Sequence, residues 1–379
     1  MKFVTSRSAA LDKLEKYIEN NISNYNTKRN FDFGVNDRSN VSCLSPYITH
    51  RLINEYETTK LVLKKYPFQK VEKFIQEIFW RVYWKGWLEL RPKVWTDFIE
   101  DLKTIKEDEK YMKAIKGETE IECFNDWVNE LKNFNYLHNH TRMLFASIWI
   151  FTLGLPWQKG AEFFMKHLFD GDAASNTLSW RWVAGIQTKG KNYLAQSWNI
   201  SKFTNNKYKN VKLNETALPI IDQREYKISP FQINRSEEIN EQLIVFENEM
   251  HIDFFDPKKY KKVYFILLDN KNRSLKLSSK VIDYKRAIID SQLKESQFKA
   301  ELLDESQLTN LFKNNKNFDV VYPSIGENFS FLKRLIKSKD LNLNFITRKE
   351  DKFCWKFSNK GYFNFKSNIP TILSNFKLN

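Results

Sequence analysis

Residues 136–182 read YLHNHTRMLFASIWIFTLGLPWQKGAEFFMKHLFDGDAASNTLSWRW, from Tyr136 to Trp182. Asn139 and Arg142 stand one helical turn apart; an acidic Asp170-Gly171-Asp172 loop follows, and then Asn176, Trp180 and Trp182. On a helix the first two share a face, because residues three or four apart are neighbours. The loop supplies acceptors to whatever that face donates. A buried Arg needs a carboxylate, and a heteroaromatic ring needs fixed donors and acceptors at its edge, so the set suits a large planar polar ligand.

The 379 residues suffice for a large core or two domains. A 42% hydrophobic and 15% aromatic content marks a packed globular chain rather than a disordered one. The longest apolar stretch, Met143 to Trp157, is too short to span a bilayer, and the N-terminus has no apolar segment with a small-residue cleavage site. A cytoplasmic protein without a membrane partner is therefore expected. Cys43, Cys123 and Cys354 lie far apart with no Cys/His spacing, so no metal site is expected and the thiols read as free. The net charge of +15 and pI near 9.4 favour a polyanionic partner such as nucleic acid.

Helical spacing of Ala10, Leu11, Leu14, Tyr17 and Ile18 predicts a first helix over residues 6–21, and the polar stretch 24–40 predicts a loop. Val41-Ser42-Cys43-Leu44-Ser45-Pro46-Tyr47 then brings hydroxyls to a helix starting near Pro46, which reads either as an ordinary N-cap or as a place for phosphate oxygens. A long helix follows over residues 68–90. On it Glu77 and Arg81 lie four apart with Trp80 beside them, a spacing that is ordinarily a surface ion pair worth about 0.3 to 0.5 kcal/mol. Residues 92–135 read as scaffold helices.

Beyond Trp182, Lys189, Lys191, Lys202 and Lys207 interleave with Tyr193, Trp198 and Phe203, a mixture that can track phosphates and stack bases or simply form a solvated loop. From about Lys212 the pattern changes. Four apolar runs, beginning at Leu243, Lys261, Phe318 and Leu341, alternate with helical stretches at 280–295, 306–313 and 328–337. Such alternation predicts a parallel sheet with crossover helices, and no glycine-rich nucleotide loop accompanies it. The expected fold is thus an all-helical domain at 1–210 followed by a smaller α/β, Rossmann-like domain at 211–379. Its tail, Trp355 to Leu373, is expected to pack back on the first.

The order His138-Asn139-x-x-Arg142-Met143, then Trp157, then Asp170-Gly171-Asp172-x-x-x-Asn176-x-x-x-Trp180-x-Trp182, resembles the FAD-binding core of the DNA photolyase and cryptochrome family. The resemblance implies FAD held by Tyr25, Ser42, Leu44, Ser45, Arg81, Asn139, Arg142, Asp170, Asp172 and Asn176. Val41 replaces the Thr of the family's phosphate motif, and Tyr25 precedes a longer loop than usual. It implies that Glu77, Trp80, Asn139, Met143 and Trp182 contact the damaged bases. Trp180 and Trp157 would be the inner members of an electron-carrying chain whose third member is missing near Thr104, leaving Trp95, Tyr111 or Trp127 as substitutes. Glu77, Asn176, Trp157 and Trp180 are accordingly the residues expected to serve the reaction.

That reaction, on the resemblance, is blue-light-driven splitting of cyclobutane pyrimidine dimers in DNA by electron transfer from reduced FAD. Asn139 stands where proteins acting on (6-4) photoproducts carry a His, which favours the cyclobutane dimer. The alternative is a cryptochrome-like photoreceptor signalling through a protein partner. A monomer is expected under the repair reading. The family's α/β antenna domain precedes its FAD domain, whereas here the α/β unit follows it.

Overall fold

Ser6 opens the first helix: its hydroxyl accepts from the Ala9 amide at 3.3 Å, and Ala10, Leu14, Tyr17 and Ile18 turn inward along Arg7–Asn20. The structure is a computed structural model describing residues 2–231, 239–252, 256, 259–296, 298–339 and 341–378. Within the stretch expected to be loop, Tyr25–Lys28 forms one helical turn, because Tyr25 seats its ring edge-on against Phe74 at 5.1 Å. A five-residue helix, Ser45–Thr49, follows with Pro46 in its first turn. The long helix runs Phe68–Glu89, and residues around its whole circumference are buried, among them Val71, Phe74, Ile75, Phe79, Val82 and Leu88. Glu55–Lys65 and Ala173–Val183 pack against it, and Lys93–Thr104, Glu109–Lys116, Glu122–Phe134, Asn139–Ser147 and Trp157–His167 complete the helical half. Among the described residues no helix is long and apolar enough to cross a membrane.

The second half carries five strands: β1 Gln242–Phe246, β2 Lys262–Ile266, β3 Ala300–Leu303, β4 Asn317–Val321 and β5 Asn342–Ile346. All pair in parallel, in the order β3-β2-β1-β4-β5, with Leu243 opposite both Val263 and Asp319. Side chains alternate across the sheet as the pleat requires. Leu243, Val245, Val263 and Phe265 join the core of the helical half together with Tyr284, Ile288 and Ile289 of the helix Ser279–Glu295. Ile244, Phe246, Tyr264 and Ile266 face the helices Glu305–Asn314 and Glu327–Lys339 in a separate core. Four strands fall on the four apolar runs. β3, four residues at the sheet edge with the sequence AELL, lacks the β-branched signal that marks the others.

Two junctions join the halves. Residues 220–229 run along the helical half: the Ile220 amide donates to Ala184 O at 2.9 Å, Arg224 bridges Asp222 and Asp101, and the Ser229 amide donates to Leu90 O. After β5 the short helices Lys349–Trp355, Tyr362–Ser367 and Ile369–Asn375 return to the long helix, as expected of the tail. The approach is close enough that a Cβ at Gly86 would meet Ser358 Oγ at 2.5 Å and Trp355 at 2.6 Å. Arg51, 1% exposed, clasps Asp351 through both terminal nitrogens at 2.7 and 3.1 Å and lies 3.3 Å from Glu249, so one guanidinium ties all three segments.

Candidate functional site

The helix Asn139–Ser147 begins with His138 as its cap, whose Nδ1 accepts from the His140 amide at 3.2 Å. One turn in, Arg142 donates from Nε to Leu137 O at 3.0 Å and from Nη2 to Asp170 Oδ2 at 2.8 Å, lying 5.2 Å over the Tyr136 ring. The expected Arg–carboxylate pair is therefore formed. Asp170 is 4% exposed, yet its Oδ1 has no hydrogen-bond partner among the described residues. A buried carboxylate oxygen left bare costs free energy, so this atom has acceptor capacity that a ligand donor could fill.

Asp172 caps the helix Ala173–Val183: its Oδ1 accepts from the Ser175 amide at 2.6 Å, and its Oδ2 lies 4.0 Å from Arg81 Nη1. Burial works against its charge, but Lys85 and Arg81 hold the carboxyl below the usual range. Lys85 is 4% exposed, lines a partly open cavity of about 70 Å³ together with Asp172, and has no ion pair or hydrogen bond among the described residues. Arg81 also donates to Thr49 Oγ1 at 2.7 Å, and Thr49 in turn donates to Asp170 O at 3.3 Å. Thr49 thus ties the long helix, the Ser45–Thr49 helix and the acidic loop. Sequence reasoning missed it; its only signal is its place one turn beyond Pro46 in the phosphate-type motif.

Ser42 and Ser45 are half-buried with hydroxyls that take no partner among the described residues, whereas Leu44 is 1% exposed and belongs to the core, so it can offer a ligand only its backbone. Cys43 between them has φ +50°, a strained conformation for a residue with a side chain. Asn139 is exposed at the head of its helix, and Met143 is half-buried one turn on. Asn176 donates from Nδ2 to Ala161 O at 2.9 Å, and its carbonyl oxygen has no partner among the described residues.

Glu77 lies 3.9 Å from Arg29, and burial raises its carboxyl above the usual range against the pull of Arg29 and Lys73. The indole of Trp80 stacks on Tyr362 with ring centres 3.4 Å apart and planes 12° apart, an aromatic neighbour the sequence did not signal. Trp182 stacks on Tyr193 at 5.7 Å.

Trp180 packs directly on Gly160, where any Cβ would overlap it, and its Nε1 is buried without a partner. Its aromatic neighbours are Phe164 at 5.0 Å and Trp149 at 6.2 Å, while Trp157 stacks on Phe98 at 5.5 Å. Of the three substitute aromatics, Tyr111 touches Trp149, Trp95 touches Phe98, and Trp127 touches only Tyr208. Trp149, in the apolar run before Trp157, passed unnoticed. The three cysteines are buried and free, and the described residues include no cluster of three metal-ligating side chains.

Residues 74–238 match the model of the FAD binding domain of DNA photolyase. These residues are similar to a photolyase-family FAD-binding domain, and FAD is the cofactor of that domain. Among curated relatives, the deoxyribodipyrimidine photo-lyase of Buchnera aphidicola subsp. Baizongia pistaciae is 29% identical over 200 residues, covering 50% of this chain and 41% of that protein. The one from Agrobacterium fabrum is 32% identical over 186 residues, covering 47% and 38%. The chain thus spans about two fifths of the length of these relatives. Solved structures that resemble it include a class III photolyase from Agrobacterium tumefaciens (TM-score 0.46, 25% identity, 53% of this chain and 43% of that one) and a Synechocystis cryptochrome (TM-score 0.48, 21% identity, 54% and 44%). The site suits the cofactor: the bare Asp170 Oδ1, the two serine hydroxyls and the Asn176 carbonyl have no partners among the described residues, and the half-buried Arg142 beside them carries the charge that Asp170 balances.

Proposed function

We propose that the chain is a deoxyribodipyrimidine photolyase that splits cyclobutane pyrimidine dimers in DNA under blue light. The observation that carries this reading is the long helix. It presents Glu77 and Trp80 together with Arg81, and Arg81 lies 4.0 Å from Asp172 and bonds Thr49, which donates to Asp170 O, so one chain of contacts links residues suited to a lesion with residues suited to a flavin. When bound, reduced FAD supplies the electron for ring opening on absorbing light. The chain needs no nucleophile. Arg142, Asp170, Asp172, Asn176 and the two serines bind and orient the cofactor, while Glu77 hydrogen-bonds the bases and Trp80, Met143 and Trp182 wall them in after they leave the stack.

Lesion choice follows from proton supply. Asn139 cannot donate a proton as a His would, and its two histidine neighbours do not replace one. His138 is fully buried, its imidazole pushed down to about 3 by desolvation against the pull of Asp32. His140 spends Nε2 on Asn199 Oδ1 at 2.8 Å and is also lowered by burial. A lesion whose repair needs no proton transfer fits these groups.

The photoreceptor reading has one observation in its favour: the α/β half is bonded to the flavin half's central helix, Glu89 accepting from Tyr322 OH at 2.6 Å and from the Ile325 amide at 2.8 Å. The deciding experiment incubates the reduced flavoprotein with a dimer-containing oligonucleotide in blue light and in the dark, following recovery of thymine absorbance. Light-dependent recovery is expected; its absence, with flavin bound, transfers the assignment to the photoreceptor. Glu77→Ala should keep the flavin and weaken dimer binding roughly 10- to 100-fold, the equivalent of one hydrogen bond to a charged group.

A further inference from the structure

The segment Ser358–Ser367 is pinned to the long helix and its end. Arg91 Nη2 donates to Asn359 O at 2.8 Å, Tyr83 OH donates to Lys360 O at 3.0 Å, and Tyr362 OH donates to Gln76 O at 2.7 Å. Tyr362 is 8% exposed and lies flat on Trp80, next to Glu77. Phe363, the following residue, is 85% exposed, against 60% for Trp198 and 39% for Phe33. Its exposure is not that of a loose end, because two backbone carbonyls and the Tyr362 side chain on its N-terminal side are bonded and the helix Tyr362–Ser367 carries it.

The geometry points to Phe363 as a stacking wedge for duplex DNA: its ring enters the base stack beside the site where the damaged pair leaves it, and the neighbouring lysines meet the phosphates. This rests on the reading of Trp80 as a wall of the lesion pocket. Phe363 follows the residue stacked on that indole, which sets it beside that wall. A protein interface centred on an aromatic anchor needs surrounding apolar contacts that exclude water. Here the residues on either side, Lys360, Gly361 and Asn364, are exposed and none is a large apolar group. A nucleic-acid partner needs only the one ring, since an inserted apolar side chain replaces lost stacking while cations hold the backbone. Lys360, three residues before Phe363, is exposed, and Lys366, three residues after it, is half-buried and lies 3.7 Å from Glu72.

The test uses the full flavin-loaded chain, Phe363→Ala and Phe363→Trp. Each is titrated with a duplex holding one thymine dimer and a 2-aminopurine at the flanking base pair, and with the same damaged strand alone. Phe363→Ala should weaken duplex binding about 5- to 150-fold, the loss of one base–aromatic stack of about 1–3 kcal/mol. It should also blunt the 2-aminopurine fluorescence change, leave single-strand affinity within about twofold and keep flavin content; Phe363→Trp should restore duplex binding. Equal losses on both substrates, or none, overturn the wedge. So does a change of oligomeric state in Phe363→Ala, which would make the ring a contact between copies. Wild-type protein that ignores the dimer altogether overturns the repair reading, and the wedge with it.

Discussion

Two buried aspartates, one in each half, are treated in opposite ways. Asp170 in the helical half gives Oδ2 to Arg142 and leaves Oδ1 with no partner among the described residues. Asp319 on β4, fully buried, is saturated: Oδ1 accepts from the Asn240 amide, Asn240 Nδ2 and Asn344 Nδ2 at 3.2, 2.8 and 3.0 Å, and Oδ2 accepts from Tyr260 OH at 2.8 Å. A complete donor set fixes a strand; an incomplete one keeps capacity for something that arrives later. The difference separates a region built to hold itself from a region built to hold a ligand.

Exchanging the two roles is the most direct way to break this contrast. Arg142→Ala should release the flavin, read as loss of the flavin absorbance per protein on gel filtration, because it strands Asp170 and removes the guanidinium that balances it; retained flavin would mean the pocket lies elsewhere. Asp319→Ala should keep the flavin and lose about 3–5 kcal/mol of stability in denaturant unfolding, because four donor groups lose their acceptor. Should Asp319→Ala empty the flavin site while Arg142→Ala leaves it filled, the assignment of roles is reversed.

The same contrast explains what the sequence could announce. Local patterns were legible: the long helix from its 3.6-residue apolar repeat, four strands from their β-branched runs, and the Arg142–Asp170 pair from a motif whose spacing survives within one stretch of chain. Contacts between distant segments were not. Thr49, which links Arg81 to Asp170, has no periodicity to mark it, and Tyr362 reaches Trp80 across more than 280 positions because a tail whose helices are each under eight residues folds back over Gly86. β3 stayed hidden because an edge strand of four residues needs little intrinsic preference once its neighbour β2 offers a ladder.

A smaller effect tests how firmly the two halves are locked. Glu89, at the end of the long helix, is buried and pushed up to about 7 from 4.5, chiefly by desolvation, with the bonds from Tyr322 and Ile325 opposing. A raised folded-state carboxyl binds its proton more tightly than the unfolded chain does, so the associated stability is fully present below about pH 4.5 and is lost as pH rises to about 7. Over that window the loss is about 3 kcal/mol at most, by the conversion of pKa differences into free energy. Glu89→Gln keeps the shape and an acceptor while removing the titration. Its unfolding free energy should therefore fall less than that of wild type between pH 5 and pH 8, with flavin content the same in both. Parallel pH profiles for the two proteins would mean that Glu89 is ionised in the folded chain and that the junction with Tyr322 is a charged one.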